Sequence, residues 1–517
     1  MDRRAFLVSL LAAGAVREIR AFDTSSDVHI SIVPAEPCSA PNYWCTWSVQ
    51  NYIYGQNQRT LDIAQLEGDA GAQLARIAMS EANLFGARGW ARSFHSRIRK
   101  DIFLLLDDGW ESGGSATFLL DNMKFPSFPG PPEERLRRLN YAVKEAGWRG
   151  TALWCRNTPS GEAGLLLEQM SQRAQIPYWK IDLGDPQFDL IQQRNRGEIP
   201  LTLEHVHGES PVNGNWSKDG RFGAQSWDSK RVSILRNTDV YRSYDVTSVL
   251  SFPTTLDRAA ELLSATAEHS DVKSLLNLED EVYLAAVLGC TMGVMRHPLI
   301  GLRPGEDADL FFNGPRNPKK RMDEVVRAVR WQRIAPPFPT GAGFVRVDNE
   351  ILTDSWVFAK GQTWDSSLIG KHVHQGAPAR VSRNIELPRV TAPVEKPYVF
   401  AARFPNGAVA IGASERTRPE SAWYMPACDV ELHVGDAPGP FGIFGEFRKL
   451  TLTFDRTISG KKFYAQDLAG DMAIEIGGMV EREGACLRID GALLRRIGLS
   501  SGAPGDLSSP AIVLAIR

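Results

Sequence analysis

Cysteine is scarce in this chain, with six in 517 residues. Cys38, Cys45, Cys155, Cys290, Cys428 and Cys486 make no C-x-x-C pair, which leaves neither a zinc knuckle nor a disulfide framework. Cys38 and Cys45 are the one pair that can bridge in an exported protein; the others read as buried thiols. An excess of one charge is also missing. The net charge of −2 provides no chain-wide basic field, which excludes nucleic acid as the expected partner. No segment is long and apolar enough to span a membrane. No G-x-G-x-x-G opens a helix after a first strand, so a dinucleotide-binding doubly wound sheet has no support.

What is present begins with "MDRRAFLVSLLAAGAVREIRA". Arg3 and Arg4 precede an apolar run from Ala5 to Val16. A run of about 12 residues is an export signal rather than a span. The paired arginines before Phe6 and Leu7 resemble a twin-arginine signal. Residues 1–22 are therefore expected to direct export, to the periplasm or the extracellular space. A plain secretory signal is the other reading.

From about Pro41 to Phe338, apolar strands alternate with amphipathic helices. "DIFLLLDDGW", "GTALWC", "YWKIDLGD", "LTLEHVHG", "RVSILRNTDVYRS" and "SLLNLED" read as strands. "PPEERLRRLNYAVKEAG", "DPQFDLIQQRNRG" and "TLDRAAELLSATAEH" read as helices. The helical "EVYLAAVLGCTMG" and "RMDEVVRAVRWQRIA" close the series. This alternation predicts a parallel sheet, and its length suits a (β/α)8 TIM barrel over residues 23–344. Beyond it, "PYVFAARFPNGAVAIGAS", "DVELHVGD", "KLTLTFD" and "AIVLAI" are short strands between turn residues. They predict a C-terminal antiparallel β-sandwich over 393–517, with 345–392 as linker or early strands.

Barrel enzymes act at the C-terminal ends of their strands. Those ends hold Trp47, Asp107, Asp108, Trp110, Trp154, Lys180, Asp182, Glu204, His205, His207, Arg242 and Asp245. Carboxylates in pairs, two cations and aromatic rings make up the inventory of a glycosidase. Lys180 and Asp182 stand two apart on a strand, so both point to one side.

The ordered set "LLLDDGW", "KFP", "AGWRGTALW", "YWKID" and an arginine-to-aspartate segment ending in "YRSYD" resembles clan D glycoside hydrolases. These are the melibiase-type α-galactosidases, the α-N-acetylgalactosaminidases and raffinose-synthase-like proteins, and the likeness covers roughly residues 41–340. The resemblance implies a retaining α-glycosidase acting on terminal α-linked galactose or a related sugar, with no cofactor. It implies Asp182 as nucleophile and Asp245 as acid/base. It also implies Asp107, Asp108, Lys180, Glu204 and Arg242 as sugar-binding groups. Glu204 falls where a free 2-hydroxyl is read in preference to an N-acetyl group. Two residues separate Arg242 from Asp245, as in the raffinose-synthase-like members.

Other readings stay open at this point. Asp239 rivals Asp245 as acid/base. Trp47, Trp110 and Trp154 are sugar platforms or core. The same two carboxylates serve an α-N-acetylgalactosaminidase or a transglycosylase. His205 and His207 form an H-x-H pair that suits a metal-dependent hydrolase. A carbohydrate-binding protein without catalysis is the non-enzymatic alternative.

Overall fold

A computed structural model describes residues 31–54, 69–113, 117–156, 161–182, 201–206, 235–236, 238–243, 252–302, 314–359, 362, 370, 372–418 and 423–517. The expected export signal, the expected helix at 185–197, His207 and Asp245 lie outside them.

Eight parallel strands form a nearly closed barrel. They are β1 (Tyr43–Cys45), β2 (Phe103–Leu106), β3 (Thr151–Arg156), β4 (Tyr178–Asp182), β5 (Thr202–Val206), β6 (Val240–Arg242), β7 (Leu275–Asn277) and β8 (Gly293–Val294). β1 to β7 pair in sequence order, and β8 pairs with β1, so the barrel's seam lies between β7 and β8. A parallel bridge from Asn277 to Thr291 brings β7 against the approach to β8. Helices among the described residues follow β1, β2, β3, β6, β7 and β8.

Alternation along the strands separates two cores. Tyr43, Cys45, Phe103, Leu105, Ala152, Trp154, Tyr178, Val240 and Met295 pack together inside the barrel. Trp44, Leu104, Leu106, Leu153, Trp179, Ile181, Leu203 and Tyr241, their immediate neighbours along the strands, pack outward against the helices. The sequence pattern runs β8 into a helical stretch, and the structure corrects this. Its two residues, one of them Gly293, offer no apolar run. The close approach of β1 explains the glycine, since a Cβ there would stand 2.7 Å from the Tyr43 hydroxyl.

The C-terminal part is strand-rich, as expected, and strands begin within 345–392: β9 (Val345–Val347), β10 (Ile351–Val357) and β11 (His372–Pro378). β9 joins an eight-stranded sheet, and a five-stranded sheet covers its other side. "PNG" turns the hairpin Tyr398–Arg403 to Val409–Ser414, with Gly407 at φ +84. The sheets are mixed rather than antiparallel. Val409–Ser414 runs parallel to Phe441–Phe444, and Asp429–Gly435 parallel to Lys449–Phe454. The chain shuttles between the two sheets through these four strands, so each sheet receives its next strand in the same direction.

The helix Met322–Gln332 joins the two parts, and all eleven of its residues are buried. Gln332 accepts from Asn42 at the foot of β1 (2.6 Å), and Arg327 pairs with Asp467 in the large sheet (2.9 Å). Glu324 holds Arg296 (2.8 Å) and also pairs with Arg321. Beside this cluster stands Glu281, whose Oε1 is sealed from solvent with no hydrogen-bond partner among the described residues. Burial pushes its carboxyl up to about 8, against the pull of Arg296 and with Asp280 and Glu324 adding to the rise.

Two outcomes are expected. Arg327→Ala strands a buried carboxylate, so denaturant titration is expected to show a loss of about 3–5 kcal/mol; a loss below about 1 kcal/mol on the same scale would remove this pair from the interface account. Glu281 binds its proton more tightly folded than unfolded, so its contribution falls as pH rises from the ordinary carboxylate range towards 8. Glu281→Gln has no such loss. Its melting temperature relative to the parent chain should therefore climb between about pH 5 and 8, following at most about 1.4 kcal/mol per pH unit. A flat difference across that window contradicts the assignment.

Candidate active site

Every barrel strand ends at the same rim, and β4 brings two charges there. Tyr178, Lys180 and Asp182 alternate with Trp179 and Ile181, so all three face the interior. Lys180 Nζ lies 2.8 Å from Asp107 Oδ2 and 4.0 Å from Asp182 Oδ2. Burial works against the Lys180 charge, but Asp107 outweighs it and holds the ammonium above its ordinary range. Asp107 is fixed from three sides. Its backbone N–H donates to Thr46 Oγ1 (2.9 Å), and its Oδ2 accepts from Lys180 and from the Cys45 thiol (3.1 Å). Burial first, and Asp107 second, raise the Cys45 pKa, which keeps it a thiol donor.

Asp182 Oδ2 also accepts from the Trp154 indole N–H (3.2 Å). Asp182 is 9% exposed, against 2% for Asp107 and none for Glu204 and Glu279. It is therefore the most exposed of these four lumen carboxylates. Trp47, the first residue of the helix Trp47–Tyr54, packs on the interior cluster and keeps part of its surface exposed. Trp47 and Trp154 thus flank the rim. Asp108 faces Arg76 at 2.7 Å, and burial raises its carboxyl although Arg76 opposes this.

Three expected sugar contacts have other work. Trp110 is wholly buried, its N–H given to Trp154 O (2.9 Å) and its ring set against Trp179. A sugar platform needs an open face, and this ring is core. Glu204 is also wholly buried: Oε1 accepts from Tyr43 (2.8 Å), and Oε2 accepts from Tyr178 (2.5 Å) and Asn277 (3.0 Å). Arg242 has no exposed surface and pairs with Glu279 inside the barrel. Glu204 and Arg242 are thus enclosed in the lumen with their polar groups turned to other side chains. Burial lifts both tyrosines well above the phenol range, so they stay protonated donors to Glu204.

Asp239 directly precedes β6 and accepts from Leu203 N (2.8 Å). Its neighbour Val240 points inward, so Asp239 serves the β5 backbone from the other face, near the strand starts. That removes it from the rim where Asp182 stands. His205 follows Glu204 and turns outward beside Tyr241, 6.2 Å between ring centroids. His205 therefore looks away from the lumen, and the other member of the expected H-x-H pair, His207, lies outside the described residues. Cys38 and Cys45 are not bridged. Cys45 is in the lumen on Asp107, whereas the Cys38 thiol donates to Gln332 O outside it (3.2 Å).

The sequence motifs pass over Tyr43 and Tyr178, although Tyr178 shares the face of Lys180 by simple alternation. Arg76 carries no signal: only folding sets its helix beside Asp108.

Lys180→Met leaves Asp107 charged and enclosed, which is expected to lower stability by about 3–5 kcal/mol. Adding Asp107→Asn should recover part of that loss. Strict additivity of the two substitutions in a denaturation cycle would show that the residues are not coupled.

Compared with known proteins, the chain matches no family model, no curated protein and no solved structure.

Proposed function

We propose that this chain is an exported retaining α-glycosidase with a (β/α)8 barrel, related to clan D glycoside hydrolases and acting on terminal α-galactosides or similar sugars. The observation that carries the reading is the placement of Asp182, largely buried but with the most exposure of the four lumen carboxylates, beside Lys180 locked onto Asp107. The order of "LLLDDGW", "YWKID" and "YRSYD" supports it.

In this reading Asp182 attacks the anomeric carbon as a carboxylate, and the bond to the leaving oxygen breaks. Asp245 gives its proton to that oxygen. It then takes a proton from water, which attacks the glycosyl–Asp182 ester and frees the sugar with its configuration retained. Lys180 and Asp107, nearly as buried as Glu204, hold the charge and direction of Asp182 and turn to ring hydroxyls only where the sugar reaches down to them. Trp154 orients Asp182 through its indole N–H and, with Trp47, offers an apolar wall to the sugar face. Glu204 acts by fixing the Tyr178 end of β4, so selection at the 2-position falls to other groups.

The test is a panel of chromogenic α- and β-glycosides. The parent chain should release aglycone from an α-glycoside, and Asp182→Ala should lose at least about a thousandfold in kcat with its melting temperature kept. Azide should restore aglycone release in that variant and yield the β-glycosyl azide, because it attacks from the face Asp182 vacated. Full activity in Asp182→Ala sinks the nucleophile; turnover of β-glycosides alone sinks the substrate class.

A further inference from the structure

β11 carries a second histidine pair, on a two-stranded sheet separate from the barrel sheet. His372 and His374 lie two apart and are both exposed, while Val373 between them turns to the opposite face. There Val373 packs with Trp356 and Phe358 in a small core of its own. Across the two-stranded sheet, His372 faces Val357 and His374 faces Ser355, within seven paired positions joining β10 and β11. The backbone carrying the two imidazoles is thus held by a full ladder and by an apolar anchor beneath.

The rings stand 4.6 Å apart between centroids, and His372 Nδ1 lies 3.0 Å from His374 Nε2. Two imidazole nitrogens bound in cis to one metal, at about 2.0–2.1 Å each and near 90°, are about 2.9 Å apart. A tetrahedral angle would spread them to about 3.3–3.4 Å. The observed separation is that of a hydrogen bond between the rings, and it shows that the two nitrogens reach the spacing one ion requires of cis ligands.

We propose that His372 and His374 form a bidentate surface site for a late divalent transition-metal ion of tetragonal preference, Cu(II) before Ni(II). At 3.0 Å the two nitrogens share one N–H. On metal binding that proton moves to the other nitrogen of the same ring, a small χ2 rotation turns both lone pairs onto the ion, and water fills the remaining positions. No bond of the chain is made or broken. Zn(II), with tetrahedral preference and a lower place in the affinity order, binds less well. The site is independent of the glycosidase reading.

The experiment uses the full chain, metal-free and with any affinity tag removed, titrated with Cu(II), Ni(II) and Zn(II) at about pH 7.5. Calorimetry is expected to show one Cu(II) of highest affinity, with an electron paramagnetic resonance spectrum of a tetragonal centre bearing nitrogen ligands. His372→Ala and His374→Ala should each weaken Cu(II) at least about tenfold. Both side chains are exposed, and unchanged melting temperatures check that the variants fold. Cu(II) affinity kept in either variant, no Cu(II) bound by the parent at about 0.1 mM, or Zn(II) preferred over Cu(II) overturns the site.

Discussion

A parallel barrel has one interior, and any charge placed there must find its partner there. Lys180 and Asp107 meet this constraint at 2.8 Å with almost no surface left to either. Water cannot screen the pair, so each residue is fixed by the other. That fixes the side-chain direction of β4, and with it the position of Asp182. Glu204 is met in a different way. Two phenols and an amide satisfy it, and no cation is among those three donors. The lumen therefore has two polar parts. One is a hydrogen-bonded cluster of Tyr43, Tyr178, Glu204 and Asn277, beside which Arg242 pairs with Glu279. The other is a charged rim of Asp107, Lys180 and Asp182.

The distinction matters for chemistry. Groups in the cluster have given up their hydrogen-bonding capacity to one another and act by holding strands in place. The rim groups stand where parallel strands release their last residues, and there one carboxylate keeps some access to solvent. Aromatic residues divide along the same line. Trp110 fills the outer core behind the strand ends, whereas Trp154 spends its N–H on Asp182 and Trp47 remains part-exposed.

Much of this is legible in the sequence, for a local reason. Period-two alternation in "YWKID" places Lys180 and Asp182 on one side, and "PNG" locates a hairpin, because both features depend only on adjacent backbone geometry. Strands with several apolar residues, such as Phe103–Leu106 and Thr151–Arg156, announce themselves. Gly293–Val294 does not: a two-residue strand has no period. The depth of Glu204 is hidden for another reason. Whether a strand carboxylate faces substrate or faces phenols depends on residues such as Tyr43, which lies 161 positions away in the chain. The parallel pairings in the C-terminal sheets are hidden likewise, since strand direction depends on which sheet receives the chain next. Asp245 and His207 fall outside the described residues.

The helix Met322–Gln332 has no face turned to water. One side holds the barrel through Gln332 and Glu324, and the other is charge-matched to the sandwich through Arg327 and Arg330. An accessory module tethered by a linker can be exchanged or lost without touching the catalytic part. Here the last barrel helix is also the first layer of the C-terminal sheets, so neither part has a complete surface of its own. Selection on one is selection on both, and a substitution in the sandwich at Asp467 acts, in effect, as a barrel mutation.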